Sequence, residues 1–207
     1  MTRRDVIAGN AGSAAPAAND ASQPSARAAA RGRYPGARAD GTGLPPVHHV
    51  GLVVKDCERA LAKLSYAMGF GAAYRFEGNF ADAVLANGDK GLHLRGAFVW
   101  MNNTALEIVE PVDDRSPHHE FLADHGEGLH HLAFWVDSVA GEIAAMRAGG
   151  ADARILVDGT GPGNEVPWCY VEGDMMGAAI IELIERNEGS EQFYAEVFKA
   201  IGGTIPV

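Results

Sequence analysis

The chain has little cysteine, little positive charge and no long hydrophobic run. Its 207 residues include only Cys57 and Cys169, too few for a disulfide framework, so each is predicted to be a buried thiol. No apolar stretch approaches the roughly 18 residues that a membrane helix needs. Arg3 and Arg4 are followed by no sustained apolar segment, which argues against an export signal. We therefore expect a cytoplasmic protein with no membrane partner.

Positive charge is scarce outside the N-terminal segment. Lysine and arginine total 17 against 27 aspartate and glutamate residues, which gives a net charge of -10. Residues 1–46 hold six arginines and three aspartates, and removing this surplus of three leaves about -13 on the rest of the chain. A nucleic-acid groove needs basic side chains, so a body this acidic excludes one. A small-molecule substrate remains the expected partner.

The composition changes sharply after residue 46. Residues 1–46 are rich in Ala, Gly, Pro, Ser and Arg, with almost no large apolar side chains. Such a segment cannot bury enough surface to offset its ordering entropy, so we predict a disordered extension. The folded domain is predicted over 47–186, with one module at 47–110 and another at 129–185. Residues 187–207 are predicted to form a C-terminal helix and tail.

The same order of elements is predicted twice. Apolar periodicity and capping residues in the first module predict a strand, a helix and three strands at 47–54, 57–68, 72–77, 92–101 and 104–110. The second module repeats this order at 129–136, 138–148, 153–157, 166–172 and 177–184. A short helix beginning at Ser116-Pro117 links the modules, and EQFYAEVFKAIG predicts a final amphipathic helix. The fold class is therefore α+β, built from two copies of one module.

Each module opens with a histidine doublet and closes with a glutamate. VHHVGLVV at 47–54 matches LHHLAFWV at 129–136, and ALEIVE at 105–110 matches IIELIE at 180–185. Two imidazoles and two carboxylates form a plausible first shell for a divalent metal such as Co, Ni, Zn, Mn or Fe. The aligned repeats predict four metal ligands: His49, Glu107, His131 and Glu182.

The doublets leave a choice, because His48 and His130 recur as well. Alternate residues of a strand share one face, and we expect the ligands on the concave face, away from the helix-packed core. Gly51 and Ala133 are small and leave room for a cavity beside the second histidine of each doublet, which favours that histidine. The first histidine is then expected on the opposite face. His118, in the polar linker, is expected at the surface.

Two further sets of residues have predicted roles in chemistry. Glu182 or Glu107 is predicted to act as the base, since a carboxylate is the only ligand type here that can take a proton from carbon. Four aromatic residues are candidates for the lining of an apolar substrate pocket: Trp135, Trp100, Trp168 and Tyr170. Trp135 is favoured because it shares a strand face with His131. GTGPGN at 159–164 is predicted to be a flexible turn, with a lid over the pocket as the alternative.

These residues resemble the vicinal oxygen chelate superfamily, which includes glyoxalase I, methylmalonyl-CoA epimerase, extradiol dioxygenases and bleomycin-resistance proteins. AFVWMNNTALEIVEP and SPHHEFLADHGEGLHHLAFWVD are similar to stretches of methylmalonyl-CoA epimerases. The resemblance implies paired βαβββ modules that form a cupped sheet around a metal, with His49, Glu107, His131 and Glu182 at the four metal positions. VEGDMMG at 171–177 replaces the His-Pro-Lys-Ser segment of the epimerases.

The resemblance leads to three functional hypotheses. The first is a metal-dependent epimerase or isomerase that resembles methylmalonyl-CoA epimerase and removes a proton next to a metal-chelated carbonyl. The second is a glyoxalase I-type lyase, and the third is a non-catalytic protein that binds a natural product in resistance. We also expect a homodimer. Whether the four ligands meet within one chain or across two is open at this point.

Overall fold

The computed structural model of the chain describes residues 45–173 and 179–205. Residues 1–44, nearly all of the predicted disordered extension, lie outside the described residues, and that prediction stays a prediction. Residues 174–178, which include the second half of the VEGDMMG segment, also lie outside the described residues.

Within the described ranges the chain forms nine strands and four helices. The strands are β1 (Val47–Val53), β2 (Ala73–Asn79), β3 (Val84–Leu85), β4 (His93–Trp100), β5 (Ala105–Pro111), β6 (Gly128–Val136), β7 (Arg154–Asp158), β8 (Trp168–Glu172) and β9 (Ile180–Glu185). The helices are α1 (Cys57–Met68), α2 (Pro117–His125), α3 (Val139–Ala148) and α4 (Glu188–Ile201). Every predicted element is present, with ends shifted by a few residues, and β3 is the strand that the sequence analysis missed.

Helices begin and end where the sequence supplies caps. Asp56 accepts a hydrogen bond from the backbone N–H of Arg59 at the start of α1. Gly69 ends that helix in the left-handed conformation, with a φ of 75°, which glycine adopts at little cost. Ser116 caps α2 just before Pro117, whose missing N–H has no role in a first turn. The predicted starts of these two helices are confirmed.

All nine strands form one mixed sheet in the order β2-β4-β5-β1-β6-β9-β8-β7-β3. Within each half the first and last strands run parallel, β1 beside β5 and β6 beside β9. The halves join through antiparallel pairing of β1 with β6. The two predicted modules therefore meet side by side within one chain.

The sheet curls into a half-barrel because a short stretch of chain ties its two ends together. β2 ends at Asn79, at one end of the strand order, whereas β3 begins at Val84 and pairs with β7 at the other end. Five residue steps reach at most roughly 18 Å. β3 carries no local signal in the sequence, because it has only two residues and its partner lies in the other half.

Apolar side chains cover both sides of the sheet. α1 packs on the outer side of the first half and α3 on the outer side of the second. On the concave side α4 contributes four buried apolar residues, Tyr194, Val197, Phe198 and Ile201. The concave face is therefore a second core, and the prediction that it faces away from the core is wrong. In the described part of the chain, no helix has the length and apolar character needed to cross a membrane.

Candidate metal centre

Two rows of cross-strand neighbours hold the four predicted ligands: Glu107, Gly51 and His131 in one, and His49, Ala133 and Glu182 in the other. Each carboxylate thus reaches the histidine of the other half across a small residue. A Cβ atom on Gly51 would overlap the ring of His131. Glycine is needed at this position because the ring lies directly against its backbone.

The four side chains converge within one chain. Nε2 of His49 lies 2.9 Å from Oε2 of Glu182 and 3.4 Å from Oε2 of Glu107. Nε2 of His131 lies 3.2 Å from each of these oxygens and 3.3 Å from Nε2 of His49. Two nitrogen and two oxygen donors, contributed equally by the two halves, therefore lie within 4.8 Å of one another.

This donor set fits a divalent cation. Nitrogen and oxygen ligands lie about 2.0–2.2 Å from such a cation, so adjacent ligands around it are roughly 3.0–3.5 Å apart. The separations of 2.9 Å to 3.4 Å agree with this spacing. Oε2 of Glu107 is buried and has no hydrogen-bond partner of good geometry among the described residues, although both imidazoles lie close to it. A buried acceptor in this state is suited to a cation.

Opposite charges balance in the buried cluster. Burial alone lowers the pKa of His49, but Glu182 and Glu107 outweigh it and raise this pKa to about 10. Burial alone raises the pKa of Glu182, but the charge of His49 and hydrogen bonds from both histidines lower it to about 2. The same opposing influences raise the pKa of His131 and lower that of Glu107. A divalent cation that replaces the two imidazole protons leaves the total charge of the cluster unchanged.

β-Bulges bring both histidines of each doublet to the concave side. The pairing of β1 with β6 skips His48 on β1 and His130 on β6. Strict alternation predicts these two residues on the opposite face, and this prediction is wrong because the extra residue of a bulge interrupts the alternation. His48 instead stacks on Trp135 and contacts the ring of Tyr194 in the concave core.

The linker helix α2 covers the second doublet. Its His118 is fully buried, so the predicted surface position is wrong: α2 packs against β6 and turns this side chain inward. The His118 ring lies 4.5 Å from the ring of His130, and its Nε2 lies 3.2 Å from the Tyr170 hydroxyl. Burial lowers the pKa of His118 to about 3. His118, His130 and His131 form a second group of three close donors, with no carboxylate among them.

A cavity of about 270 Å³ adjoins the cluster, and both Glu107 and Glu182 line it. Its walls are mainly aromatic and aliphatic: Phe76, Phe80, Leu94, Phe98, Val166, Trp168, Tyr170, Phe193 and Tyr194. No lysine or arginine is among the described residues of this lining. Glu77 also lines the cavity, but its carboxylate is bound by His93 and Arg95.

The three tryptophans predicted for the substrate pocket differ in whether they line the cavity. Trp168 lines the cavity. Trp135 is buried against His48, and Trp100 packs against Phe198, so neither is among the lining residues. The GTGPGN turn contributes Asn164 to the lining, but the side-chain amide of Asn164 donates to the Gly159 carbonyl and accepts from the backbone N–H of Val166.

The sequence analysis missed several lining residues for identifiable reasons. Phe193 and Tyr194 come from α4, and no local pattern shows where a terminal helix docks. Phe98, which was not predicted, lies directly opposite Glu107 in its hairpin, and Tyr170, which was among the predicted pocket aromatics, lies directly opposite Glu182. Because paired residues of a hairpin share one face of the sheet, the alternating pattern of these strands could have placed both rings beside the glutamates.

Comparison with known proteins supports the fold. Residues 48–170 match the family described as the Glyoxalase/Bleomycin resistance protein/Dioxygenase superfamily. An uncharacterized protein, YqjC, of Bacillus subtilis (strain 168) is 38% identical over 50 residues, which cover 24% of this chain and 36% of that protein. The match thus spans only about a third of that relative.

Solved structures share the architecture at low sequence identity. Methylmalonyl-CoA epimerase from Mycobacterium tuberculosis gives a TM-score of 0.51 at 20% identity, covering 72% of this chain and 91% of that one. A methylmalonyl-CoA epimerase in complex with methylmalonyl-CoA and NH4+ gives 0.50 at 18%, covering 70% and 96%. A hypothetical protein from Bacillus halodurans C-125 gives 0.50 at 18%, covering 69% and 94%.

At such identities these structures establish the shared fold, and the family match extends over more than half of the chain. The curled sheet of two repeated modules is the architecture that the resemblance implies. The chain therefore belongs to the Glyoxalase/Bleomycin resistance protein/Dioxygenase superfamily, the vicinal oxygen chelate proteins.

Proposed function

We propose that the chain is a metal-dependent epimerase or isomerase that removes a proton from carbon next to a carbonyl group. The observation that carries this proposal is the convergence of two nitrogen and two oxygen donors, from both halves, within 4.8 Å beside an apolar cavity. The side chains of His49, Glu107, His131 and Glu182 would hold the cation. Cobalt, nickel, zinc, manganese and iron all suit this mixture of ligands.

When bound, a divalent metal polarises two neighbouring substrate oxygens and so makes the adjacent C–H more acidic. The two histidines hold the centre, whereas the two carboxylates have a second role. Both Glu107 and Glu182 line the cavity, and the lowered pKa of each keeps it ionised at neutral pH. An ionised carboxylate can accept the proton from carbon.

Two carboxylates from opposite halves suit an epimerase. One would take the proton from one face of the carbon, and the other would return a proton to the opposite face. The pairing of Glu107 across Gly51, and of Glu182 across Ala133, supports this arrangement because the two carboxylates enter from opposite sides of the histidines.

The cavity lining indicates what part of a substrate it can hold. Aromatic rings form most of the wall, and the described lining offers no cationic side chain to a phosphate. We therefore propose that the group inside the cavity is compact and apolar, with its two chelating oxygens directed at the cluster. The acyl part of methylmalonyl-CoA, the ligand in one of the similar structures, is the first candidate to assay.

The first test measures metal content and proton exchange in the full chain. About one divalent ion per chain by elemental analysis is expected in the wild type, with loss in a His131→Ala/Glu182→Ala double variant. Deuterium uptake into methylmalonyl-CoA in D₂O then reports proton removal. If no metal is bound after incubation with Co²⁺ or Ni²⁺, the enzyme proposal fails and a binding protein becomes the better hypothesis.

The second test addresses the apolar wall with two chelators that differ only in their apolar group. Benzohydroxamate should bind the Co²⁺-loaded protein about ten-fold more tightly than acetohydroxamate, because its ring adds apolar contact. Phe193→Ala should reduce this preference, whereas the exposed Tyr66→Ala should not. Equal binding of both compounds would contradict an apolar substrate group, and binding of neither would contradict chelation.

A glyoxalase I-type lyase is the second candidate. It requires the same removal of a proton from carbon next to a carbonyl group but returns the proton to the neighbouring carbon, and the paired carboxylates beside one cavity favour it equally. An assay with the hemithioacetal of methylglyoxal and glutathione separates the two. Turnover of the hemithioacetal without deuterium uptake into methylmalonyl-CoA would select the lyase.

A further inference from the structure

The first histidine of each doublet has no role in the proposed chemistry, yet it recurs in both halves. His48 and His130 are each the extra residue of a β-bulge, and both are buried. A bulge interrupts the hydrogen bonding of the strand pair, and here two bulges occur within the same pair. Their shared effect is to bring the first ring of each doublet against the second.

The contact between the two rings is the same in each half. Nδ1 of His48 lies 3.0 Å from Nδ1 of His49, and Nδ1 of His130 lies 3.0 Å from Nδ1 of His131. A neutral pair of imidazoles at this distance makes a hydrogen bond only if one Nδ1 carries the proton and the other accepts it. The assignment of that proton therefore fixes the tautomer of both rings.

The positions of the two carboxylates determine which ring of each doublet carries the Nδ1 proton. His49 and His131 each direct Nε2 at Glu107 and Glu182, so Nε2 is the atom available to a cation. A neutral histidine that ligates through Nε2 carries its proton on Nδ1. Nδ1 of His48 and of His130 must then be the acceptor.

We propose that His48 and His130 are positioning residues that accept the Nδ1–H of His49 and His131 and so present both Nε2 lone pairs to the metal. This inference rests on the proposed metal-dependent function. Hydrogen bonding of the second nitrogen of a ligating histidine orients the ring and raises its basicity. In most such sites a carboxylate or a carbonyl oxygen is the acceptor, and here it is a second imidazole.

Packing of the core does not by itself explain why His48 and His130 are histidines. Nε2 of His48 and Nε2 of His130 are buried without a hydrogen-bond partner in the described part of the structure. A buried unsatisfied nitrogen is unfavourable, and an apolar side chain of similar size would avoid it. The chain carries this disadvantage at both symmetric positions, where the other nitrogen of each ring contacts a predicted ligand.

Matched substitutions separate hydrogen bonding from packing. Asparagine at position 48 or 130 places an acceptor oxygen near the position of Nδ1, whereas leucine fills similar space without an acceptor. Co²⁺ affinity, measured by competition with a chelator, should fall about 10- to 100-fold in His48→Leu and His130→Leu. His48→Asn and His130→Asn should recover most of that loss. Thermal melts of the metal-free variants show whether each one is folded.

A measurement on the wild type needs no variant. In the Zn²⁺-loaded full chain, ¹⁵N–¹H correlation spectra of the histidine rings should show the proton of His49 and His131 on Nδ1, and that of His48 and His130 on Nε2. The opposite tautomers would overturn the pairing, as would folded leucine variants that bind Co²⁺ like the wild type. Absence of metal binding by the wild type would instead overturn the proposed function together with this inference.

Discussion

The two halves of the sheet supply the same ligands in the same register but surround them differently. A histidine of β1 and a glutamate of β5 in the first half match a histidine of β6 and a glutamate of β9 in the second. The residue opposite the glutamate is Phe98 in the first half and Tyr170 in the second. The small residue between the glutamate and the histidine of each row is Gly51 in the first half and Ala133 in the second. The symmetry is closest at the two histidine doublets and the two glutamates.

The coverings of the two doublets also differ. α4 places Tyr194 and Phe198 against His48, so the first doublet is enclosed by hydrocarbon and aromatic rings. α2 places His118 against His130, so the second is enclosed by a polar network that includes Tyr170. A site assembled from two copies of one module has thus kept its donor atoms and diverged in its walls. Asymmetric walls allow a symmetric centre to bind an asymmetric substrate.

The largest expected effect tests whether the two carboxylates are chemically equivalent. Glu182→Gln and Glu107→Gln should each lower conversion of one methylmalonyl-CoA isomer to the other by roughly 10²–10⁴-fold, because glutamine cannot take a proton from carbon. The remaining glutamate should still exchange the proton on its own face for deuterium. Co²⁺ should still bind, with reduced affinity, through the remaining donors. The exposed Glu196→Gln is the matched control. Loss of conversion in only one variant would assign the essential base to one half, and full conversion in both would remove both glutamates from this role.

Much of this comparison was accessible from the sequence, because its evidence is a repeat. The pairing of His49 with His131 and of Glu107 with Glu182 needed only the alignment of two segments. The elements followed from local periodicity and caps, such as Asp56 before α1. The inferences that failed depended on non-local geometry. Bulges at the doublets arise from how β1 meets β6, and the burial of His118 arises from how α2 docks.

The next effect tests the small residue in each row. Gly51→Ala should weaken Co²⁺ binding about 100-fold and destabilise the fold by about 1–3 kcal/mol, because its methyl group would displace the His131 ring. Ala133→Gly, at the equivalent position, should cost about 1 kcal/mol through backbone entropy and leave Co²⁺ affinity nearly unchanged. Competition titration and urea unfolding measure both quantities. Wild-type affinity in Gly51→Ala would contradict the close approach of the His131 ring.

A smaller effect is expected from making β8 more like β4, the equivalent strand of the first half. Tyr170→Phe gives the second half the ring type of Phe98 and removes only the hydroxyl contact with His118. A loss of about 1 kcal/mol in the free energy of unfolding is expected, with metal affinity unchanged. The exposed Tyr66→Phe should change neither stability nor activity. A large loss of exchange in Tyr170→Phe would show that this hydroxyl takes part in the chemistry and that the halves differ in function.

The smallest effect compares the two thiols, one in each half. Burial raises the pKa of Cys57 to about 11 and that of Cys169 to about 12, so at pH 8 each is protonated and poor as a nucleophile. Neither should react appreciably with a disulfide reagent in the native protein, and two thiols per chain should react after unfolding in urea. Cys57 lies in the first turn of α1, and Cys169 lies within β8 in the sheet. Selective reaction of Cys57 under native conditions would show that α1 opens locally and that the first half is the less stable of the two.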